Sequence, residues 1–201
     1  MGAQMPASLR RRNQSQRRKR IVQTAAALAL RGGVEAMQMR AVAERAGVAL
    51  GTLYRYFPSK MDLVVAVVTE ELDLLERSIE RRPPAAPTAA GRAVDVLLRA
   101  TRGLMREPEL GDALVRSLIM TEATTDLAPR ITDLLWRVAR QEYDPNQRPD
   151  HNSADYIVVG SLCGVWIFEV LEVLKGHRDM EQVQQRLEVT AERLLAGMGQ
   201  R

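Results

Sequence analysis

Along residues 39–60, MRAVAERAGVALGTLYRYFPSK, apolar positions recur in two short helical registers separated by a tight turn. Val42, Ala43 and Ala46 form the apolar face of the first register, Gly47 stops it, and Val48 begins the turn. The second starts near Leu50, turns Leu53 and Phe57 inward, and presents Thr52, Tyr54, Arg55 and Tyr56 until Pro58 ends it. Ser59 caps the next helix, with Asp62 three positions on completing a variant of the capping box. Two short helices, a tight turn and a capped third make the pattern of a helix-turn-helix DNA reader.

The same reading predicts a helix over 15–31, with Ile21, Ala25, Leu28 and Ala29 on one face and Gly32 and Gly33 as its stop. A longer helix over 60–81 acts as a lever joining the reader to the rest, and Pro83, Pro84 and Pro87 break the chain after it. Further helices are predicted near 88–106, 109–123, 126–143, 153–175 and 179–196, about nine in all. With 46% apolar and only 4% aromatic residues, and few alternating β-branched runs, the expected fold is all-α. Residues 1–14, polar and arginine-rich, are expected to be a disordered basic arm, 15–60 the DNA-binding domain and 82–201 a second helical domain.

The helix at 153–175 is apolar on every face, so it must be covered all round. Its own domain would take one side and a second subunit another. The face with Val159, Cys163, Val170 and Leu174, together with Val183, Leu187 and Leu194 of the last helix, is the expected dimer seam. Monomer core is the competing reading. Dimerisation is favoured because a helix-turn-helix needs two copies to read paired half-sites one helical turn apart.

Charge sharpens the picture. Residues 1–60 hold 12 Lys and Arg against 2 Asp and Glu, whereas the remainder holds 17 against 23. The basic part therefore coincides with the helix-turn-helix, as a phosphate-binding surface requires. Arg40 and Arg55 are the expected base readers, since guanidinium makes paired bonds to guanine O6 and N7. Thr52 and Lys60 suit phosphates, Tyr54 a thymine methyl or the backbone, and Tyr56 is a second candidate. Gly51 lets the backbone come close to a phosphate.

Other classes fit less well. The apolar run after Arg20 is interrupted by Gln23 and Thr24 and lacks a cleavage site, and 157–168 is too short to span a bilayer and runs on into Glu169 and Glu172. No membrane role is expected. The lone Cys163 agrees with a reducing cytosol. His151 and His177 belong to no metal-spaced cluster, and neither a phosphate-cradling loop nor a nucleophile elbow appears, so no enzyme activity, metal or cofactor is expected.

The run GTLYRYFPSK, preceded by GGVEAMQMRAVAERA and residues 17–21, resembles the signature of the TetR family of bacterial transcriptional regulators. It is most similar to the actinobacterial branch that represses steroid and cholesterol catabolism, with weaker likeness around Trp166 and in QRLEVTAERLLAG. The resemblance implies a homodimeric repressor on a palindromic double-stranded DNA operator, joined through a four-helix bundle, and released when a small hydrophobic effector moves the lever helix. Arg40, Thr52, Tyr54 and Lys60 match DNA-contact positions of the family, while Arg55 and Tyr56 stand at positions that vary with the operator. Many members carry Ser or Thr as caps where this chain has Gln38 or Met39, and then Ala49. Arg17 and Arg18, with Lys19 and Arg20, are candidates to make up those phosphate contacts, and residues 10–12 a minor-groove arm; a solvated role is the alternative for each.

For the effector, the implied lining residues are Leu114, Leu118, Met120, Trp136, Tyr156, Leu162, Trp166 and Glu169, with ordinary core packing the competing reading. Glu169, in an apolar run, must find a partner, solvent or a polar cavity. For the steroid branch the ligand is a steroid acid or its coenzyme A thioester, whose phosphates could meet Arg99, Arg102 and Arg106; a solvated face is the plainer account. A ligand-independent architectural DNA-binding protein is the alternative function.

Overall fold

The computed structural model describes residues 7–106, 108–109, 111–112, 127–141 and 148–198. Among these the chain is helical, with eight α-helices and no strand. It divides into two compact units that meet between Val68 and Thr69, inside the fourth helix.

In the first unit, α1 (Ala7–Ala36) buries Ile21, Val22, Ala25, Leu28 and Ala29 along one stripe. Its continuity is interrupted at Gly32 and Gly33; Gly33, with φ of 63°, adopts the left-handed conformation that glycine alone enters freely. The helix begins ahead of the expected start at Ser15 and takes in half of the arm expected to be disordered. Alanine, leucine, arginine and glutamine in that stretch are helix formers, and no proline or glycine separates them from the rest.

Helices α2 (Met39–Arg45) and α3 (Leu50–Tyr56) pack on each other, and α2 packs on α1. Between them Gly47, with φ of 63°, makes the turn. Leu53 and Phe57 anchor α3 in the core. At the start of α4 (Lys60–Arg81), the Ser59 backbone N–H and hydroxyl both donate to the Asp62 carboxylate, at 2.8 and 2.7 Å, and the Asp62 N–H returns a bond to Ser59 Oγ at 3.1 Å. Three bonds at one helix end explain why α4 begins where it does.

In the second unit, α5 (Ala89–Leu104) packs on α6 (Leu127–Arg140) and α8 (Met180–Leu194), and α7 (Ala154–Leu174) lies against α6 and α8. The ring of four closes over Ala93, Leu97, Leu135, Val138, Val159, Leu162, Val170, Val183 and Leu187. Three of the four entries are seen capped by a side chain: Thr88 for α5, Ser153 for α7, and Asp179 with Gln182 in a full capping box for α8. The Arg92 guanidinium is buried and donates to the carbonyls of Ala86, Pro87, Val138 and Ala139, tying the loop before α5 to the end of α6. The helix expected over 109–123 lies largely outside the described residues.

Two expectations about α7 turn on how the helix is covered. At 21 residues it is long and apolar enough, by length and composition alone, to cross a membrane, although 157–168 is not. Its fully covered Glu169, however, accepts bonds from Arg178 and, at 2.9 Å, from Arg186 Nε, the arrangement of a core helix tied to its neighbours. The expected dimer seam lies in large part inside the unit. Val159, Cys163, Val170, Val183 and Leu187 are buried within their own unit and have no surface left for a partner. Only Leu194 is exposed and Leu174 half-buried, whereas the outward apolar residues are Ile157, Phe168 and Val189, at 57, 51 and 56% exposure. A helix apolar on three faces carries no sequence signal for which face turns outward.

Candidate nucleic-acid interface

Short α3 presents its polar side because Leu53, fully buried, and Phe57 leave it only one orientation. Tyr54 and Arg55 project into solvent, Thr52 and Tyr56 are half-buried, and the Tyr56 ring lies tilted against Phe57 with centroids 6.4 Å apart. Arg40 is exposed at the start of α2. Neither Gln38 nor Ala49 makes a side-chain cap, so the ends of α2 and α3 lack the hydroxyl that Ser or Thr would bring. A Cβ on Gly51 would meet nothing within 4 Å, so the fold itself makes no demand for glycine there.

Lys60 lies 3.6 Å from Glu35, a pair whose acid is almost wholly in solvent. Such a pair contributes little and yields readily to a phosphate. Arg17 is exposed on α1, while the Arg18 guanidinium sits 5.3 Å from the centroid of the Phe57 ring. A cation over an aromatic face fixes Arg18 beside the end of α3. Together with exposed Arg11, Arg12, Lys19 and Arg20, these side chains make α1 strongly basic.

The expected effector residues divide by their partners. Leu114, Leu118 and Met120 lie outside the described residues. Leu162 is plain core. The Trp166 indole donates to Thr101 Oγ1 at 2.8 Å, and Thr101 passes its own proton to the Leu97 carbonyl. Tyr156 donates to Asp133 at 2.8 Å and stacks on His151 at 4.6 Å; burial, with Asp133 alongside, pushes its phenol up to about 12. Glu169 has its two arginines. Burial pushes the Cys163 thiol up to about 11, so it stays protonated and inert near neutrality. Trp136 is the exception: its side chain is buried, and its indole nitrogen has no hydrogen-bond partner among the described residues. Arg99, expected to meet phosphates, is engaged by Asp95 and the Arg82 carbonyl, whereas Arg102 and Arg106 are exposed.

Sequence reasoning missed Arg130. On α6 it donates to Asp73 at 2.8 Å and Glu76 at 2.7 Å, both on the later half of α4. Nothing in the spacing of the two segments, far apart in the chain, announces that contact. Among the described residues no group of three or more His, Cys, Asp or Glu side chains could hold a metal ion.

Residues 21–67 match the family described as bacterial regulatory proteins, tetR family. Over 94% of its length the chain is 36% identical to the HTH-type transcriptional repressor KstR of Rhodococcus jostii, of which it covers 86%. The chain belongs to the TetR family. It is likewise 34% identical, over 92% of its length and 82% of the relative's, to KstR of Mycobacterium tuberculosis. A TetR transcriptional regulator from Rhodococcus sp. RHA1 superposes with a TM-score of 0.77 at 28% identity, covering 92% of this chain and 99% of that one. Thermus thermophilus FadR, a TetR-family repressor crystallised with lauroyl-CoA, shares the fold at a TM-score of 0.70 and 20% identity, over 90 and 94% of the two chains. TetR regulators bind DNA operators and small-molecule effectors and act as dimers. The matched residues 21–67 span α2, α3 and the start of α4, and the second unit is where an effector and a partner subunit are sought. The family is one of regulators rather than enzymes, and bacterial DNA-binding repressors work in the cytoplasm.

Proposed function

We propose that this chain is a dimeric repressor that holds a palindromic operator through α3 and lets go when a steroid-derived acyl-CoA thioester enters the second unit. The observation that carries the reading is that identity to the KstR repressors runs through nearly the whole chain, the effector unit included, and not through the DNA reader alone. The acyl-CoA held by a repressor of the same fold supports a thioester as the ligand class. In the reader, Arg40 and Arg55 take base edges, Thr52, Lys60 and Arg17 take phosphates, Tyr54 and Tyr56 flank them, and Gly51 leaves room for the DNA backbone. Release requires only that the thioester bind one dimer geometry better than the other. Arg130, bonded to Asp73 and Glu76, is the contact through which a shift of α6 reaches the lever helix α4.

The partner subunit docks on the side of α7 that carries Ile157 and Phe168, eleven residues apart and so on one side of the helix, with exposed Val189 on α8, because large apolar side chains left exposed among the described residues suit a second copy. Phe168→Glu is expected to give a monomer by light scattering and to lose most operator affinity; a dimer that binds normally overturns the assignment of this face.

The test of function is retardation of a labelled fragment from upstream of this gene, at fixed salt, with and without steroid-acid coenzyme A thioesters and fatty acyl controls. Release by the steroid thioester alone is the expected result. Binding that no thioester reverses favours the ligand-independent alternative.

A further inference from the structure

The two tryptophans of the second unit differ in one respect. Trp166 spends its indole proton on Thr101, and Thr101 spends its own on Leu97. Trp136, 6% exposed, has a buried nitrogen with no acceptor, and among the described residues it is the one buried side-chain nitrogen or oxygen left so. A donor kept from water without a partner costs stability that a phenylalanine in its place would not cost, so its presence calls for a reason. A trapped water is a poor one. Water needs two to four polar partners, and no second buried side-chain group among the described residues is short of a bond.

We propose that the Trp136 indole N–H is the hydrogen-bond donor that reads a neutral oxygen acceptor, a carbonyl, on an otherwise apolar effector. The inference rests on the effector reading given above and names the chemistry by which the site recognises its ligand. The surroundings decide between acceptors. The indole nitrogen is itself buried, and Leu134, Leu135, Val138 and Ala139 of the same helix are buried too, so an anion there would forfeit its hydration for a single N–H. The Arg140 guanidinium lies 5.2 Å from the centroid of the Trp136 ring, but it already faces Asp155 at 3.0 Å. A negative ligand group would therefore add charge that the site does not balance, whereas a carbonyl accepts the proton and brings none. Trp136 and Arg130 stand on the same helix, and Arg130 grips α4. A bond made at one is thus placed to be felt at the other.

Two carbonyls on such a ligand meet the description, one on the ring system and one in the thioester, and the probes separate them. Coenzyme A thioesters of two steroid acids that differ only in a ring ketone, together with lauroyl-CoA, are titrated against the operator complex of the wild type and of Trp136→Phe. The variant is expected to bind operator as the wild type does and to need about tenfold more thioester for half-release, equivalent to about 1.4 kcal/mol. A loss confined to the ketone-bearing probe assigns the ring carbonyl; an equal loss on all probes that act assigns the thioester; both support the proposal. Identical titrations for wild type and variant overturn it and leave the repressor reading standing. Failure of every thioester to release the wild type overturns both. Should the variant fold poorly, the wild type labelled with nitrogen-15 at tryptophan carries the test: the Trp136 indole proton should move downfield on thioester addition while that of Trp166 stays, and no movement overturns the proposal.

Discussion

In the reader unit Arg40, Tyr54 and Arg55 stand in solvent on a scaffold held by a few buried residues such as Leu53 and Phe57, whereas in the second unit Arg92, Thr101, Trp166 and Glu169 are buried and each is matched to a protein group. The difference follows from what each unit must do. A DNA reader offers side chains whose partners come from outside, so their bonds are absent until the complex forms. A helical sensor must first be a stable core, and there a buried polar group is matched within the protein unless, like the Trp136 indole, it too awaits a partner from outside. Substitutions of the outward side chains of α3 should therefore cost binding and spare folding, and those of the buried, matched groups in the second unit should do the reverse.

The largest effect is expected at Glu169. Removing its carboxylate leaves Arg178 and Arg186 without the group that draws them onto the core, although Arg178 keeps the Phe168 ring at 5.4 Å and the charge of nearby Glu172. Breaking a buried pair from one side costs about 3 kcal/mol, and Arg186, half in solvent, recovers part of its loss from water. Glu169→Ala should thus lower unfolding free energy by about 3 kcal/mol in urea. A loss below about 1 kcal/mol, the range of exposed pairs, would mean that this interior pair behaves like a surface one and the contrast between units fails.

The next test reverses the arrangement. Arg55→Ala should leave the unfolding midpoint in place yet cost about 1–3 kcal/mol on the operator and relax one base position, while Lys60→Ala should weaken operator and random DNA alike. Equal losses on both DNAs for Arg55 would make it another phosphate contact.

How far the chain could be read without its structure follows the same division. Gly47, Pro58 and the Ser59–Asp62 pair act on their immediate neighbours, so the turn, the end of α3 and the start of α4 were visible in spacing alone, and the outward residues followed from them. The family signature adds the likeness, not the geometry. In the second unit the deciding contacts join segments far apart: Arg130 to α4, Arg92 to the end of α6, Trp166 to Thr101. No local pattern encodes them. The burial of most of the expected dimer face has the same cause, since Val159 and Ile157 are equally apolar and only the packing of α6 and α8 decides which is covered.

The smallest expected effect separates fold from function at a single atom. Gly51 lies in the first turn of α3, exposed, with nothing within 4 Å of where a Cβ would stand. Within the protein, alanine should be the better residue there, because glycine in a helix costs roughly 0.5–1 kcal/mol relative to alanine. If the fold alone governed this position, Gly51→Ala would be neutral or slightly stabilising by thermal unfolding and would bind operator as before. If the space over Gly51 belongs to a DNA phosphate, the methyl group displaces that phosphate from the backbone N–H, and operator affinity falls by about 1 kcal/mol, the worth of one hydrogen bond. We expect both at once, a melting temperature unchanged or raised and a weaker complex. That opposition is what a side chain reserved for an outside partner should give, and a variant equally tight on DNA would remove Gly51 from the interface.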